Sequence, residues 1–219
     1  MAGTSKTTTP REALVAELAR EVSDRRVLDA IGRVPREMFV PGEARQWAYE
    51  NRPLPIGHGQ TISQPLIVAL MTEALRLTGE EAVLEVGTGS GYQAAVLSLL
   101  AKRVVSVERI PALAAQAARV LAGCGYSNVE VHVAGTKAGR PEEGAYDAII
   151  VTAASPEVPP ELLQQLATGG RLVIPVGSRT LQELVRIEKT ARGARRHNLG
   201  PCRFVPLVGS SGWPEPAPS

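Results

Sequence analysis

The sequence predicts an α/β fold: a doubly wound, mostly parallel sheet of seven strands, preceded by helices and ending in an antiparallel strand pair. Short apolar runs typical of buried strands alternate with helical patterns from residue 82 to residue 176. Two more strand patterns follow without a helix between them. Parallel strands need a crossover connection, which is usually a helix, whereas two successive strands can form a hairpin.

The stretch Ala82–Tyr92 organises the rest of the chain. Val83, Leu84 and Val86 form an apolar run that is typical of a strand covered on both faces. Three glycines at alternate positions then allow a sharp turn and the close approach of a ligand. A helical pattern follows at Gln93–Leu100. A strand, a glycine loop and a helix N-terminus together present free backbone N–H groups to an anionic or carboxylate-bearing ligand.

The spacing of the glycines favours S-adenosylmethionine over a nicotinamide dinucleotide. The dinucleotide fingerprint is G-x-G-x-x-G, but here the third glycine comes one residue early and Tyr92 occupies its place. The next strand pattern, Arg103–Val107, ends in Glu108, which lies 19 residues after Gly89. A carboxylate at this point is placed to accept hydrogen bonds from both ribose hydroxyls of an adenosine. The alternative is a tight strand-to-helix turn that binds no ligand.

The composition is that of a globular protein large enough for a single α/β domain. The chain has 219 residues, of which 44% are hydrophobic and 21% charged, and a formal net charge of +2. This charge is too small to favour nucleic acid, and we interpret the one basic cluster, Arg192–Arg196, as a solvated turn. Cys124 and Cys202 lack metal-ligand spacing, so we expect no metal site. No apolar run has the length of a membrane span and the N-terminus lacks a signal pattern, so we expect a cytoplasmic enzyme.

We expect one domain at residues 11–209, between flexible tails at residues 1–10 and 210–219. Residues 11–80 hold the N-terminal helices and an active-site loop, and residues 81–209 hold the cofactor-binding sheet and the C-terminal strands. The apolar positions between residues 11 and 31 predict two helices, broken near Ser23 and Asp24, either of which can cap the second.

Residues 51–65 separate these helices from the sheet. They contain glycines, prolines, hydroxyl and amide groups but few charges, and we interpret them as a structured loop rather than a linker. Ser63 is placed to cap a helix that begins near Pro65 and continues through Leu75. Before this loop, residues 34–41 predict a short turn and residues 45–50 a further helical turn.

The remaining elements follow from the alternation of patterns. Pro111 and Pro159 each begin a predicted helix, and Gly169 follows the end of the second. The predicted elements after residue 110 are helix 111–123, strand 128–133, strand 146–152, helix 159–166, strand 171–176, and the terminal strand pair 181–188 and 202–207. Ligands bind at the carboxyl ends of such strands. Four loops therefore converge on one cleft: residues 87–91, 108, 134–136 and 152–154.

Once the loop before the sheet is considered with the glycine stretch, the chain resembles the protein-L-isoaspartate O-methyltransferase family. The resemblance covers roughly residues 10–209, and its most specific part is Thr61-Ile62-Ser63. The segments that carry it are Arg52–Pro65, Leu84–Leu97, Ser106–Arg109, Tyr146–Ala154 and Arg203–Leu207.

This resemblance implies a Rossmann-like class I methyltransferase fold and a protein-repair activity. The expected reaction transfers a methyl group from S-adenosyl-L-methionine to the α-carboxyl of L-isoaspartyl residues in damaged proteins and peptides, leaving S-adenosyl-L-homocysteine. By the family pattern, Ser63 is the catalytic residue. The expected cofactor-binding residues are Thr61, Ile62, Glu85, Gly87, Thr88, Gly89, Ser90, Gly91, Glu108, Gly135 and Thr136. The expected partners are isoaspartyl proteins and peptides, with neither nucleic acid nor membrane, and we expect a monomer.

The chain departs from the family pattern after the third strand of the sheet. The family has Gly-Asp-Gly there, with the aspartate accepting a hydrogen bond from the adenine amino group. Here the segment is Ala134-Gly135-Thr136, followed by Lys137, and Arg140 stands where a tryptophan is usual. Loss of one adenine hydrogen bond weakens cofactor binding by roughly 1–3 kcal/mol if the group stays unpaired.

Three alternatives stay open at this point. The same chemistry serves a methyltransferase that tailors one dedicated peptide, which the altered 134–140 segment motivates. A chain that has lost cofactor affinity serves as a non-catalytic module that binds isoaspartyl groups. A nicotinamide oxidoreductase is disfavoured by Tyr92. Among the histidines, we expect His58 to shape its loop rather than to act as an acid or base, and His132 to lie at the surface or in packing.

Overall fold

The computed structural model describes residues 8–135, 137–210 and 212–214. Within these ranges the α-helices are α1 (Pro10–Leu18), α2 (Arg25–Arg33), α3 (Pro65–Leu75), α4 (Tyr92–Ser98), α5 (Pro111–Gly123) and α6 (Pro160–Gln165). The strands are β1 (Leu54–Gly57), β2 (Gln60–Ile62), β3 (Ala82–Val86), β4 (Arg103–Glu108), β5 (Val129–Val133), β6 (Tyr146–Val151), β7 (Leu166–Gly177), β8 (Gln182–Thr190) and β9 (Gly193–Cys202). Short 3-10 helices lie at Arg36–Phe39, Gly42–Trp47 and Pro141–Glu143.

Strands β3 to β9 form one sheet in the spatial order β5-β4-β3-β6-β7-β8-β9. The five strands from β5 to β7 are paired in parallel, and β8 is antiparallel to both β7 and β9. This arrangement confirms the predicted α/β class, its seven strands, its N-terminal helices and its terminal antiparallel pair.

The apolar run in β3 follows from the position of this strand at the middle of the parallel part of the sheet. Val83 faces a core that also contains residues of α1 to α5, whereas Leu84 and Val86 face a second core that includes Leu162 of α6. Apolar side chains are needed on both faces because helices cover both. The carboxyl ends of β3, β4, β5 and β6 therefore meet at one edge.

The N-terminal helices agree with the predicted break. Asp24 caps α2, and its carboxylate accepts a hydrogen bond from the N–H of Arg26 at 2.9 Å. The boundary predicted for the N-terminal tail, residue 10, is too late in the sequence. Helix α1 already begins at Pro10, and Thr9 forms a capping box with Glu12. Residues 1–7, 211 and 215–219, which include parts of both predicted tails, lie outside the described residues.

The segment predicted as a structured loop contains the antiparallel hairpin β1–β2. Leu54 and Ile56 are buried while Pro55 is exposed, so the strand pattern is present but very short. Gly57, His58 and Gly59 have φ values of +89°, +53° and +68°, which turn the chain between the two strands. The hairpin projects the segment around Ser63 toward the edge of the main sheet.

The last predicted strand is wrong in position. Strand β9 occupies Gly193–Cys202 instead of residues 202–207. Of the basic cluster predicted as a solvated turn, Arg192 lies in an exposed turn, whereas Arg195 and Arg196 lie in the strand. Most side chains of β9 are exposed on this hairpin, and an exposed strand shows no apolar alternation. The apolar segment Val205–Leu207 instead leaves the sheet, and the N–H of Leu207 donates to the carbonyl of Ala154 at 2.6 Å.

Strand β7 begins five residues earlier than predicted. Leu166 pairs with Tyr146 of β6, and Gly169, which is predicted to follow the helix, lies inside the strand together with Gly170. A Cβ on Gly170 would lie 2.9 Å from the carbonyl oxygens of Ala167 and Asp147, so glycine is required by close approach of the backbones. In the ranges that the structure describes, no helix is long and apolar enough to cross a bilayer.

We expect Leu84→Ala to destabilise the protein by about 2–5 kcal/mol, because Leu84 is fully buried in the central strand and its removal leaves a cavity. Urea denaturation followed by circular dichroism measures the change. Leu181→Ala is the matched control, since this leucine is 69% exposed, and it should shift the free energy of unfolding by no more than about 0.5 kcal/mol. Equal effects of the two substitutions would contradict the burial assigned to β3.

Candidate active site

A cavity of about 670 Å³ opens at the carboxyl ends of β3, β4, β5 and β6. This is the edge at which an open α/β sheet binds its ligands, and the volume suits a small molecule. The cavity is lined by residues 58–63, Val68, residues 86–90, Tyr92, Gln93, residues 107–110, 134–135, 137–139, 152–153 and 205–210, and Gly212. The four loops expected to converge on a cleft therefore do so.

Gly87 turns the chain at the end of β3 because no larger residue fits there. Its φ is +102°, and a Cβ would lie 2.3 Å from Thr152 Oγ1. The N–H of Gly87 donates to the carbonyl of Val107 at 2.8 Å, and the Thr152 hydroxyl donates to the carbonyl of Gly87 at 2.5 Å. The loop is thus fixed to β4 on one side and to the end of β6 on the other.

Glu108 ends β4 with its carboxylate on the cavity wall. One carboxylate oxygen accepts a hydrogen bond from the N–H of Gly89 at 2.9 Å, and the other accepts one from the N–H of Ile110, also at 2.9 Å. Each oxygen keeps a second lone pair for a ligand. The arrangement can accept hydrogen bonds from two neighbouring hydroxyl groups, as the sequence predicted for a ribose.

Glu85 lies in β3, beneath the glycine loop, and does not line the cavity. It is fully buried, and one of its oxygens accepts a short hydrogen bond from the hydroxyl of Ser106. Its other oxygen has no hydrogen-bond partner in the described chain. Burial raises the pKa of Glu85 to about 8; the hydrogen bond from Ser106 opposes this rise and the nearby negative charge of Glu108 adds to it.

Ser63 lies between β2 and α3 and lines the cavity. The prediction that it caps α3 is wrong: the N-cap residue is Gln64, which makes no side-chain cap. Asn51 takes the capping role from 15 residues away, since its carbonyl oxygen Oδ1 accepts from the N–H of Leu66 at 3.1 Å. The Ser63 hydroxyl makes no hydrogen bond within the described chain, so it is available to a ligand.

Tyr92 connects the site to the N-terminal helices. Its ring is 2% exposed, and the guanidinium of Arg36, which is fully buried, lies 4.8 Å from the ring centroid. Phe39 packs edge-on against the same ring at 5.8 Å. Burial raises the pKa of Tyr92 to about 12 and lowers that of Arg36 to about 10. The tyrosine is therefore a neutral, rigid part of the wall, held by a cation–π contact.

The segment after β5 departs from the family pattern in the structure as it does in the sequence. Gly135 and Lys137 line the cavity, and Thr136 lies outside the described residues. Gln165 of α6 holds the segment, because its amide nitrogen donates to the carbonyl of Ala138 at 2.8 Å and its oxygen accepts from the N–H of Arg140 at 2.7 Å. Among the described cavity residues, Glu108 is the one carboxylate.

Most of the expected site residues lie together on the cavity wall. They are Thr61, Ile62, Ser63, Gly87, Thr88, Gly89, Ser90, Glu108 and Gly135. Two expected residues do not line it: Glu85 is buried below the loop, and Gly91 packs against α5, where a Cβ would lie 3.3 Å from the Cβ of Ala117. Gly91 is needed there for its φ of +89° at the start of α4.

Sequence reasoning missed several residues of the wall. His58 and Gln60 lie at the tip of the β1–β2 hairpin, and the segment 205–210 forms part of the wall after it has paired with Ala154. The glycines that flank His58 were a signal of a turn there, whereas the C-terminal segment looked like a strand. No local pattern shows that such a strand leaves the sheet to line a cavity.

We expect Gly87→Ala to abolish measurable binding of S-adenosyl-L-homocysteine, because the methyl group of the alanine would clash with Thr152 Oγ1 and displace the loop. Isothermal titration calorimetry measures the affinity. Gly79→Ala is the matched control: Gly79 has a similar φ of +112°, but a Cβ there would meet no atom within 4 Å. Adding Thr152→Ala to the first variant should restore part of the affinity. Loss of binding in the Gly79 variant alone would contradict the steric explanation.

We expect the stability contributed by Glu85 to fall as pH rises. Its pKa is about 8 in the folded chain and about 4.5 without burial, so folding favours the protonated form. The contribution is complete below about pH 4.5 and is lost as pH rises through about 8. The glutamine of Glu85→Gln cannot titrate. The free energy of unfolding of this variant, minus that of the unsubstituted protein at the same pH, should therefore be larger at about pH 8 than at about pH 5. Urea denaturation at both pH values tests this, and an unchanged difference would contradict it.

Comparison with known proteins places this chain in a family. The family model "Protein-L-isoaspartate(D-aspartate) O-methyltransferase (PCMT)" matches residues 9–212. The protein-L-isoaspartate O-methyltransferase 1 of Syntrophobacter fumaroxidans is 55% identical over 196 residues, which cover 90% of this chain and 92% of that protein. The protein-L-isoaspartate O-methyltransferase of Methanoculleus marisnigri is 54% identical over 195 residues, with 89% of each chain covered.

Solved structures agree. A protein-L-isoaspartate O-methyltransferase superposes with a TM-score of 0.84 at 32% identity, covering 92% of this chain and 67% of that one. A Plasmodium falciparum structure described as a beta-aspartate methyltransferase in complex with S-adenosyl-L-homocysteine has a TM-score of 0.77 at 25% identity, covering 88% of this chain and 95% of that one. With its glycine loop, Glu108 and Ser63 on one cavity, the chain belongs to the protein-L-isoaspartate(D-aspartate) O-methyltransferase family.

Proposed function

We propose that this protein transfers a methyl group from S-adenosyl-L-methionine to the free α-carboxyl of L-isoaspartyl residues in proteins and peptides. The observation that carries the proposal is the Ser63 hydroxyl, which has no partner in the described chain and lies on the same cavity as the glycine loop and Glu108. Family membership supports the reaction class. In this proposal the glycine loop and Glu108 bind the cofactor, and Ser63 contacts the substrate in the same cavity.

The cavity residues fit the cofactor. Glu108 would hold the ribose hydroxyls with the lone pairs that Gly89 and Ile110 leave free. The turn of Gly87 brings the loop backbone close enough to contact a ligand, with Thr88 and Ser90 on either side of Gly89. Thr61, Ile62 and Gly135 complete the enclosure in this proposal. Glu85 and Gly91 act indirectly, because they support the loop from below and behind.

The proposed reaction needs little acid–base catalysis. An α-carboxyl is already an anion at neutral pH, so no strong general base is needed. The cofactor supplies an electrophilic methyl group on a sulfonium sulfur and departs as S-adenosyl-L-homocysteine. The protein must hold one carboxylate oxygen in line with that methyl group and keep water away. Ser63 donates its hydroxyl proton in a hydrogen bond to the carboxylate, while the β1–β2 hairpin and residues 205–210 cover the site.

The wider role in this proposal is repair of damaged proteins by a monomeric cytoplasmic enzyme. The two cysteines, Cys124 and Cys202, are free, which fits a reducing compartment. Isoaspartyl groups form within many different chains, so the substrate is recognised by its extra backbone methylene and free carboxylate. No role for nucleic acid or membrane enters this proposal.

A second candidate function keeps the chemistry and changes the substrate. The segment after β5 carries Lys137 on the cavity wall and no carboxylate at residues 134, 135 or 137, unlike the family pattern. Such a change favours a methyltransferase dedicated to one particular peptide. A much higher kcat/KM for one peptide than for a set of unrelated isoaspartyl peptides would support this alternative.

We expect transfer of a tritiated methyl group to an isoaspartyl peptide and none to the same peptide with a normal aspartate. The normal aspartyl peptide presents its carboxylate one atom further from the main chain, so it cannot occupy the same in-line position. Calorimetry with S-adenosyl-L-homocysteine runs in parallel. Cofactor binding without transfer to the isoaspartyl peptide would overturn the proposal, and absence of cofactor binding would favour a non-catalytic binding module.

We expect Ser63→Ala to lower kcat/KM for the isoaspartyl peptide by about 10- to 100-fold, which corresponds to the loss of one hydrogen bond to a charged group. The affinity for S-adenosyl-L-homocysteine and the melting temperature should stay unchanged, because the hydroxyl has no partner in the described chain. Ser178→Ala, in the β7–β8 turn, is the control and should leave kcat/KM unchanged. Full activity of the Ser63 variant would refute its role in orienting the substrate.

A further inference from the structure

A chain of three buried oxygen groups runs from the core to the cavity. Glu85 and Ser106 face each other across β3 and β4, and both are fully buried. The Ser106 hydroxyl donates to Glu85, and its oxygen lies 2.5 Å from the hydroxyl oxygen of Thr88. Thr88 is 3% exposed and lines the cavity. Among the described residues, Ser106 is thus the one group that connects the buried carboxyl to a residue of the glycine loop by hydrogen bonds.

The number of hydrogens sets the direction of this chain. A hydroxyl has one hydrogen to donate. When Glu85 is ionised it can only accept, so Ser106 donates to it and Thr88 must donate to Ser106. The Thr88 hydrogen is then used within the chain, so the Thr88 oxygen can only accept a hydrogen bond from a ligand group in the cavity. When Glu85 is protonated, the chain can run the other way, and the Thr88 hydrogen is free to face the cavity.

The surroundings make the protonation state of Glu85 changeable. The neighbouring residue across β6 is Ile150, which is fully buried and apolar, and the charged group that acts on Glu85 is the carboxylate of Glu108. Strand β6 and the glycine loop contain no basic residue, and Arg103 of β4 is paired with Glu130 and Glu143. Its second oxygen has no partner in the described part of the chain. The carboxyl can therefore gain or lose a proton without breaking an ion pair.

We propose that Ser106 is a positioning residue for cofactor binding, which transmits the charge state of Glu85 to the hydroxyl of Thr88. The ionised chain presents an acceptor to donor groups of the ligand, such as hydroxyl or ammonium groups, and it adds a negative charge beneath the loop. The proposal rests on the cofactor assigned under the proposed function. It predicts that affinity rises as Glu85 loses its proton.

Calorimetric titration with S-adenosyl-L-homocysteine tests the proposal at about pH 6 and about pH 9, on either side of the pKa of about 8. Each variant is compared with the unsubstituted protein at the same pH, so the titration of the ligand itself cancels. At high pH, Ser106→Ala should weaken binding about tenfold, which corresponds to one hydrogen bond. At low pH the same substitution should change the affinity much less.

Two further variants separate this role from a merely structural one. Glu85→Gln should show the same flattened pH dependence with Ser106 in place, and the double variant should bind no more weakly than either single variant, because both break one chain. Ser98→Ala is the matched control: Ser98 is also buried, but its hydroxyl donates to the carbonyl of Ala95 within α4. It should leave the pH dependence of binding unchanged.

Each result bears on the proposal. A pH-independent ratio of affinities between Ser106→Ala and the unsubstituted protein, or additive effects in the double variant, would overturn it. Thermal melts show whether each variant is folded, and Glu85→Gln carries the test alone if Ser106→Ala does not fold. If the unsubstituted protein binds no S-adenosyl-L-homocysteine, the proposed function fails together with this inference. Binding with the wrong pH dependence defeats the inference alone.

Discussion

The close approach of Gly87 to Thr152 is the constraint on which the rest of the site depends. A Cβ at Gly87 would lie 2.3 Å from the threonine hydroxyl, so the loop can lie against the end of β6 only because glycine is there. This contact directs the loop across β4, where the N–H of Gly89 reaches Glu108. The shape of this end of the cavity follows from that one position.

Two carboxyl groups close to this loop, those of Glu108 and Glu85, lie in contrasting environments. Glu108 stands at the cavity with a backbone N–H bound to each oxygen, which stabilises its charge. Glu85 is deeper, receives one hydrogen bond from Ser106 and has one oxygen without a partner in the described chain. Burial without full compensation favours the neutral form. The same residue type therefore faces the cavity in one place and is buried beneath the loop in the other.

The parts of the fold that show an apolar pattern were predictable, and those without one were not. Strand β3, helix α5 and the break before α2 follow from periodicity and capping, because burial on the core faces selects the residues. Strand β9 is exposed along most of its length, so nothing in its residues marks it as a strand. The segment Val205–Leu207 has the apolar composition of a buried strand. Its apolar residues instead line the cavity, where the segment is hydrogen-bonded to Ala154.

The sequence alone determined the chemistry at the sheet edge: a glycine loop after a buried strand, an acid at the end of the next strand, and a serine before α3. These features are local, because each depends on the chain over a few residues. Only the tertiary structure decided which side chains are free to act. Asn51, 15 residues from Leu66, caps α3 and leaves the Ser63 hydroxyl free. Burial beneath the glycine loop removes Glu85 from the cavity and leaves Glu108 there, since solvent access depends on packing between distant segments.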